Sequence, residues 1–204
     1  MKYFEKAISI SGTKKIQECL LDVAKFASTA HLPVLADQAL AQSLSDNGPG
    51  TKPYICLSQI EFQRKNYAAA IIHLKDSLKI NSNESEIWAA LGHLYFKQRK
   101  FNEAKVAYET ALNLNSSQND LIYNRLGEIY LREAYPQSVE LISQQFSAAV
   151  KPDISLALIA KDLFLKSCAL KPSCQNWLGV GKACLAVGDF EDAEDAFAVR
   201  IVFK

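Results

Sequence analysis

Gly179-Val180-Gly181-Lys182 is the stretch of this sequence that comes nearest to a phosphate-binding loop. Such a loop cradles phosphate oxygens with backbone N–H groups, and it needs a preceding strand, a wider glycine spacing and Ser or Thr after the lysine. Here Ala183 follows Lys182, inside a helix-like pattern. Nucleotide chemistry is not expected. His31, His73 and His93 show no paired ligand spacing, and neither H-E-x-x-H nor C-x-x-C occurs. Of the five cysteines, Cys168 and Cys174 are close in sequence but have no second ligand pair around them. We expect Cys19, Cys56, Cys168, Cys174 and Cys184 to be core or half-buried thiols, kept reduced in a cytosolic compartment. No G-x-S-x-G and no Cys/His nucleophile signature is present. The acidic residues Asp189, Glu191, Asp192, Glu194 and Asp195 open a helical pattern, and Lys97, Arg99 and Lys100 close another; both placements complement the helix dipole. The expectation is a protein that is not an enzyme and holds no metal or cofactor.

The bulk numbers point the same way. The chain has 204 residues, 49% hydrophobic and 22% charged, with a formal net charge of +1. Such a balance argues against nucleic acid or an anionic membrane surface as the main partner. No run approaches the roughly 18 apolar residues of a membrane span. The opening MKYFEKAISISG is charged and helix-like, without the apolar block of a signal peptide.

What organises the chain is a period of 34 residues. Trp88, Leu91, Gly92 and Tyr95, followed by Ala104, Tyr108 and Ala111, mark two amphipathic segments joined by a short basic turn. Thirty-four residues earlier stand Tyr54, Leu57 and Ser58, then Ala70, Leu74 and Ser77. One period before that stand Leu20, Val23, Ala24 and Ala27, then Ala36, Leu40 and Ser43. First segments recur as Tyr123, Leu126, Gly127, Tyr130 and as Trp177, Val180, Gly181, Cys184. Second segments recur as Ala160, Phe164, Ser167 and as Ala193, Phe197, Arg200. Small residues let paired helices approach, large ones fill the space between neighbours, and each hairpin buries its second face on the next.

These residues resemble the tetratricopeptide repeat (TPR) family, whose W-x2-L-G-x2-Y…A-x3-Y-x2-A signature residues 88–111 nearly reproduce. The resemblance implies an all-α, right-handed solenoid of helix-turn-helix repeats. In these terms residues 1–204 form a single array: 1–16 end a preceding helix, 17–50, 51–84 and 85–118 are repeats one to three, and 174–204 are a truncated fifth. Repeat four, residues 120–173, breaks the period with an insertion at about 134–151. Pro136 and Pro152 bracket it, and Val139, Ile142, Phe146 and Ala149 lie at helical spacing. An added amphipathic helix is expected there, either packed back on the array or protruding as a partner-binding element. Both ends lack a capping helix, which raises the prospect of self-association through exposed solenoid ends.

By the same resemblance, first helices line a concave groove for a partner peptide or helix. The spacing places Lys52, Ile55, Gln59, Phe62 and Gln63 there, with Glu86, Ala89, His93, Phe96 and Lys97 in the next repeat. Leu121, Asn124, Glu128, Leu131 and Arg132 follow, then Gln175, Leu178, Lys182 and Leu185. Phe62, Phe96, Leu131 and Leu185 share one equivalent position, as an apolar line or, for the two phenylalanines, as residues tucked between helices. The carboxylate clamp of co-chaperones, which grips acidic chaperone tails, needs Lys, Asn and Arg where this chain has Ile55, Gln59, Ala90, Leu121 and Arg125. Asn124 lies one residue out of place for it. Finally, Pro172-Ser173-Cys174, Trp177-Leu178-Gly179-Val180-Gly181 and Glu191-Asp192-Ala193-Glu194-Asp195-Ala196 resemble the C-terminal TPR region of a cilia- and flagella-associated axonemal protein. That likeness implies a non-catalytic interaction scaffold in the cytoplasm, within the axoneme of motile cilia. The alternative is a cytosolic co-chaperone or adaptor holding a peptide tail.

Overall fold

Helices start and stop where side-chain chemistry dictates. The computed structural model describes residues 13–30, 33–45, 50–115, 119–135 and 152–202, and among these residues every regular element is an α-helix. The helices are α1 (Thr13–Thr29), α2 (Pro33–Ser45), α3 (Thr51–Gln63), α4 (Tyr67–Ile80), α5 (Ser85–Lys97), α6 (Phe101–Leu114), α7 (Asp120–Ala134), α8 (Ile154–Leu170), α9 (Cys174–Val187) and α10 (Phe190–Val202). Four of them begin under a side-chain cap that satisfies otherwise orphaned N–H groups. Asn66 accepts from Ala69 N, Asn119 from Leu121 N, Asp153 from Ser155 N and Leu156 N, and Ser173 from Asn176 N. Residues 13–16, read from sequence as the tail of a preceding helix, are instead the first turn of α1. Residues 1–12 lie outside the described residues.

The chain forms two compact units, Met1–Asn115 and Ser116–Lys204. Within each, consecutive helices pair as hairpins: α1 with α2, α3 with α4 and α5 with α6 in the first, α7 with α8 and α9 with α10 in the second. Three hairpin turns share one design. Lys65, Arg99 and Gly188 each take positive φ (61°, 60° and 96°), three residues after Phe62, Phe96 and Leu185 respectively. That left-handed residue lets the chain reverse while the last helical carbonyls are still capped. Asn66 N donates to Glu61 O and Lys100 N to Tyr95 O, both at 2.9 Å.

Inside each hairpin a small residue of the first helix faces a large one of the second. A Cβ added at Gly92 would lie 2.5 Å from the Tyr108 ring, and one at Gly127 would lie 2.9 Å from the ring of Phe164. At Gly181 it would collide with Phe197. In the α3–α4 hairpin the residues at the equivalent repeat positions are Ser58 and Leu74, both buried. Ala70, Ala104, Ala160 and Ala193 are buried on the second helices, where close approach also demands a small side chain. Gly179 is used differently: its missing side chain admits Phe164 from the preceding hairpin, so one ring is received by two successive first helices.

The fourth repeat is longer, and hydrogen bonds measure by how much. Ser77 Oγ donates to Thr51 O across 26 residues, tying the end of α4 to the start of α3. Its counterpart, Ser167 Oγ to Asp120 O, spans 47 residues. The added chain lies between α7 and α8, and its two ends meet where Asp153 N donates to Ala134 O at 3.0 Å. Residues 136–151, which include most of the expected insertion and its amphipathic stripe, lie outside the described residues.

The glycine contacts carry a direct test. Gly92→Ala should lower stability in chemical denaturation by about 1–3 kcal/mol, the range for overpacking a filled core. Tyr108→Leu, which removes the ring that the added methyl meets, should recover part of that loss in the double variant.

Candidate protein-interaction surface

In the first unit, α1 and α3 run side by side in parallel. Ser28 Oγ donates to Gln63 Oε1 at 2.8 Å and Cys56 Sγ lies 3.8 Å from Leu21 O, both pairs 35 residues apart. Around the Cys56–Leu21 contact a hollow of about 370 Å³ opens. Leu21, Ile55 and Cys56 form its floor, while Asp22, Lys25, Lys52 and Gln59 stand exposed around it. Burial pushes the Cys56 thiol above its ordinary range, with nearby Lys25 opposing the shift and Asp22 adding to it. Both charged side chains therefore stand close to the floor. A second opening of about 390 Å³ is almost wholly apolar, lined by Leu78 of α4, Trp88, Leu91 and Tyr95 of α5, and Val106 and Ala107 of α6.

The residues expected to line the groove divide into outward-facing and inward-tied groups. Gln59 borders the hollow, Gln63 is exposed and accepts from Ser28, and Lys97 is exposed at the end of α5. Phe62, 40% exposed, leans on Tyr67 across its own turn, with ring centroids 5.6 Å apart. Phe96 is half-buried and meets Phe101 edge-on at 5.5 Å. His93 is half-buried too, its Nδ1 lying 2.7 Å from the Tyr108 hydroxyl. Phe96 and His93 thus knit α5 to α6. Ala89, also placed in the groove by spacing, is buried.

In the second unit Asn124 requires correction. It is 3% exposed and donates from Nδ2 to Asn176 Oδ1 at 2.8 Å; Asn176 in turn donates to the Lys171 and Ser167 carbonyls. A buried amide must find partners, so Asn124 faces α9 and cannot meet a ligand. Glu128 accepts from Arg125 at 2.8 Å, Leu131 packs half-buried against the core, and Arg132 is exposed. Among the later residues, Lys182 and Leu185 are exposed.

The stretch that most resembled a phosphate loop is helical interior: Gly179 and Gly181 are buried within α9. The acidic run has a partner that sequence did not reveal. Lys161 of α8 reaches Asp189 at 2.8 Å and Asp192 at 2.7 Å. Those two hydrogen bonds raise the lysine pKa well above its usual value. Lys161 and Asp192 lie two residues out of step in the repeat register of their adjacent second helices, so spacing gave no hint of the pair.

Cys56, Cys168 and Cys184 are buried, Cys174 is half-buried and Cys19 is exposed. Burial lifts the Cys168 thiol to about 11 and raises that of Cys184. Among the described residues no group of His, Cys, Asp and Glu could hold a metal ion, and no helix is long and apolar enough to cross a membrane.

Comparison with known proteins adds an independent line. The family model described as Cilia and flagella-associated protein 70 C-terminal domain matches residues 27–199. Cilia- and flagella-associated protein 70 of Homo sapiens is 30% identical over 167 residues, 81% of this chain. The chain spans 13% of that relative's length. Among solved structures, a MamA protein superposes with a TM-score of 0.70 at 17% identity, covering 93% of this chain and 92% of its own. PilF of Pseudomonas aeruginosa gives 0.73 at 12% identity, covering 95% and 79%. A tetratricopeptide repeat protein of Parabacteroides merdae gives 0.67 at 16%, covering 92% and 66%. At such identities the structural likeness is one of fold, an all-α TPR solenoid.

Two measurements check the site as described. Asn124→Ala should destabilise the second unit by about 1–3 kcal/mol, because it strands the buried Asn176 acceptor. Lys97→Ala, at an exposed helix end, should stay within about 0.5 kcal/mol of the parent. Iodoacetamide at pH 8 should alkylate Cys19 in the folded chain and reach Cys56, Cys168 and Cys184 only in denaturant, read by peptide mass spectrometry.

Proposed function

Because this chain belongs to the cilia- and flagella-associated protein 70 C-terminal domain family, we propose that it is a non-catalytic protein-interaction scaffold. It is a region of a longer TPR protein, and it works in the axoneme of the motile cilium or flagellum. The observation that carries the scaffold role is the hollow between α1 and α3. It is open, partly apolar, rimmed with charge, and set on helices joined by a buried apolar cluster. Such a surface can receive a peptide or helix without the domain having to reorganise, which keeps the ordering cost of binding low.

The inward-tied residues support the same division of labour. His93, Phe96 and Asn124 hold helices in place, while Lys25, Lys52 and Gln59 line the hollow on the first-helix side of the first unit. Rigid elements that present a few polar groups beside an apolar floor are the usual design of helical-repeat binding faces. The co-chaperone reading gains nothing from the geometry. The one asparagine that came near a clamp position is buried.

The test uses the full-length protein fused to a biotin ligase in ciliated cells. Proteins of demembranated axonemes should be labelled, and deletion of residues 13–202 should remove that labelling. Labelling confined to the cell body, or axonemal labelling indifferent to the deletion, would overturn the reading. Enrichment of heat-shock chaperones alone would turn it towards a co-chaperone.

A further inference from the structure

Two successive second helices are tied by charge in the second unit and left untied in the first. Lys161 of α8 holds Asp192 of α10 at 2.7 Å. Lys161 directly follows the small residue Ala160, and Asp192 directly precedes Ala193. The same two repeat positions in the first unit are Ile71, after Ala70, and Glu103, before Ala104. Ile71 is buried in an apolar cluster with Leu91 and Ala107, so an aliphatic side chain stands where the bridging lysine would be. This is where the apolar opening of about 390 Å³ lies, with Glu103 exposed on its α6 side and Lys75 exposed on its α4 side. Among the described residues neither side chain has a partner. Lys79, the next cation along α4, is taken by Asp76. Trp88, Leu91 and Tyr95 line the opening between the two charges, and Trp88 Nε1 already donates to Ser82 O at 2.9 Å. The opening therefore asks an occupant for apolar contact in the middle and opposite charges at its two sides.

One period after Lys75 stands Glu109, which has a partner of its own, and Glu103 lies six residues before that level on α6. Six helical residues are about 9 Å of axis, so the two free charges are staggered along the opening as well as set on opposite sides of it. A helix laid along the opening returns to the same face every seven residues, about 10.5 Å, with residue i+4 between. Run antiparallel to α4 and α6, it brings an acid near its N-terminus to Lys75 and a base nearer its C-terminus to Glu103. That order is the one its own dipole favours. We infer that this opening receives a partner helix of the pattern acidic–x3–aromatic–x2–basic. Its aromatic ring rests on Trp88 and Tyr95, its carboxylate meets Lys75, and its cation meets Glu103 as Lys161 meets Asp192 in the second unit. This rests on the scaffold reading. It gives the first unit a contact surface on the side of its second helices, and it specifies the chemistry of the partner.

The experiment uses the 204-residue chain and tryptophan-free peptides acetylated at the N-terminus and amidated at the C-terminus. Binding of Glu-Ala-Gln-Ala-Phe-Ala-Gln-Arg within a neutral alanine–glutamine helix is followed by calorimetry. In the Trp177→Phe chain it is also followed by the emission of Trp88, which should change on binding. Val106 is exposed beside the opening, and its repeat position in the second unit holds Asp195. Val106→Asp should weaken binding by about tenfold or more, with helical content unchanged by circular dichroism. Glu103→Lys should weaken it by about fivefold or more, and a peptide with Glu in place of its Arg should bind that chain as the parent peptide binds the parent chain. No binding of the parent peptide, equal binding by the Glu103→Lys chain, or binding that leaves Trp88 emission unchanged would overturn the proposal. In the full-length fusion, axonemal labelling unchanged by Glu103→Lys with Val106→Asp would sink this opening as a contact while leaving the scaffold reading standing. Absence of axonemal labelling by the wild-type fusion would sink the scaffold reading itself.

Discussion

Everything in the structure hangs on how closely two antiparallel helices can approach within a hairpin. Where the first helix carries Gly92, Gly127 or Gly181, the second can set an aromatic ring directly on its backbone: Tyr108, Phe164 or Phe197. That contact fixes the depth and rotation of the pair. It also decides which side chains are left to face outward, because a helix rotated onto its glycine has only one face to offer. Where the glycine position holds Ser58, the equivalent large position holds Leu74 rather than an aromatic, and both are buried. Phe164 extends the principle beyond its own hairpin, since Gly179 of the following first helix also receives its ring.

The turns follow from the same close approach. With the helices so near, the chain must reverse within a few residues, and a left-handed residue is the economical way to do so. Lys65 and Arg99 accept that conformation although it disfavours a Cβ, while Gly188 takes it freely. A tight turn also brings the last residues of one helix over the first of the next. Phe62 therefore reaches Tyr67 and Phe96 reaches Phe101, each five residues on, and an apolar line that could have faced a ligand becomes partly a set of staples.

The repeat, the pairing of small with large residues and the lengthened fourth repeat were all legible in the sequence, because each is a matter of spacing along one chain. The site was legible only in part. Gln59 and Gln63 are exposed on α3, but the hollow that Gln59 borders depends on the parallel register of two helices 35 residues apart, which spacing within one helix does not show. Asn124 illustrates the limit best. Helical periodicity puts it on the outer edge of α7, yet its amide is answered by Asn176, 52 residues further on, and that partnership turns a candidate ligand group into a buried clamp. Half-buried His93 likewise has a partner that spacing did not show, the hydroxyl on the very ring that Gly92 admits. The division into two compact units left no mark in composition or period.

The hydrogen bond from Asp153 N to Ala134 O has a consequence for how this fold can change. It closes the fourth hairpin at its base, so α7 and α8 meet as they would across a short turn, and Asp153 goes on to cap α8. The entropy of closing a loop grows only slowly with its length. A segment added above a closed base therefore exerts little leverage on the helices below. This position is one where the family can gain, lose or exchange sequence without disturbing its repeats. For the same reason it is the natural place to graft a reporter or a second binding module into the domain.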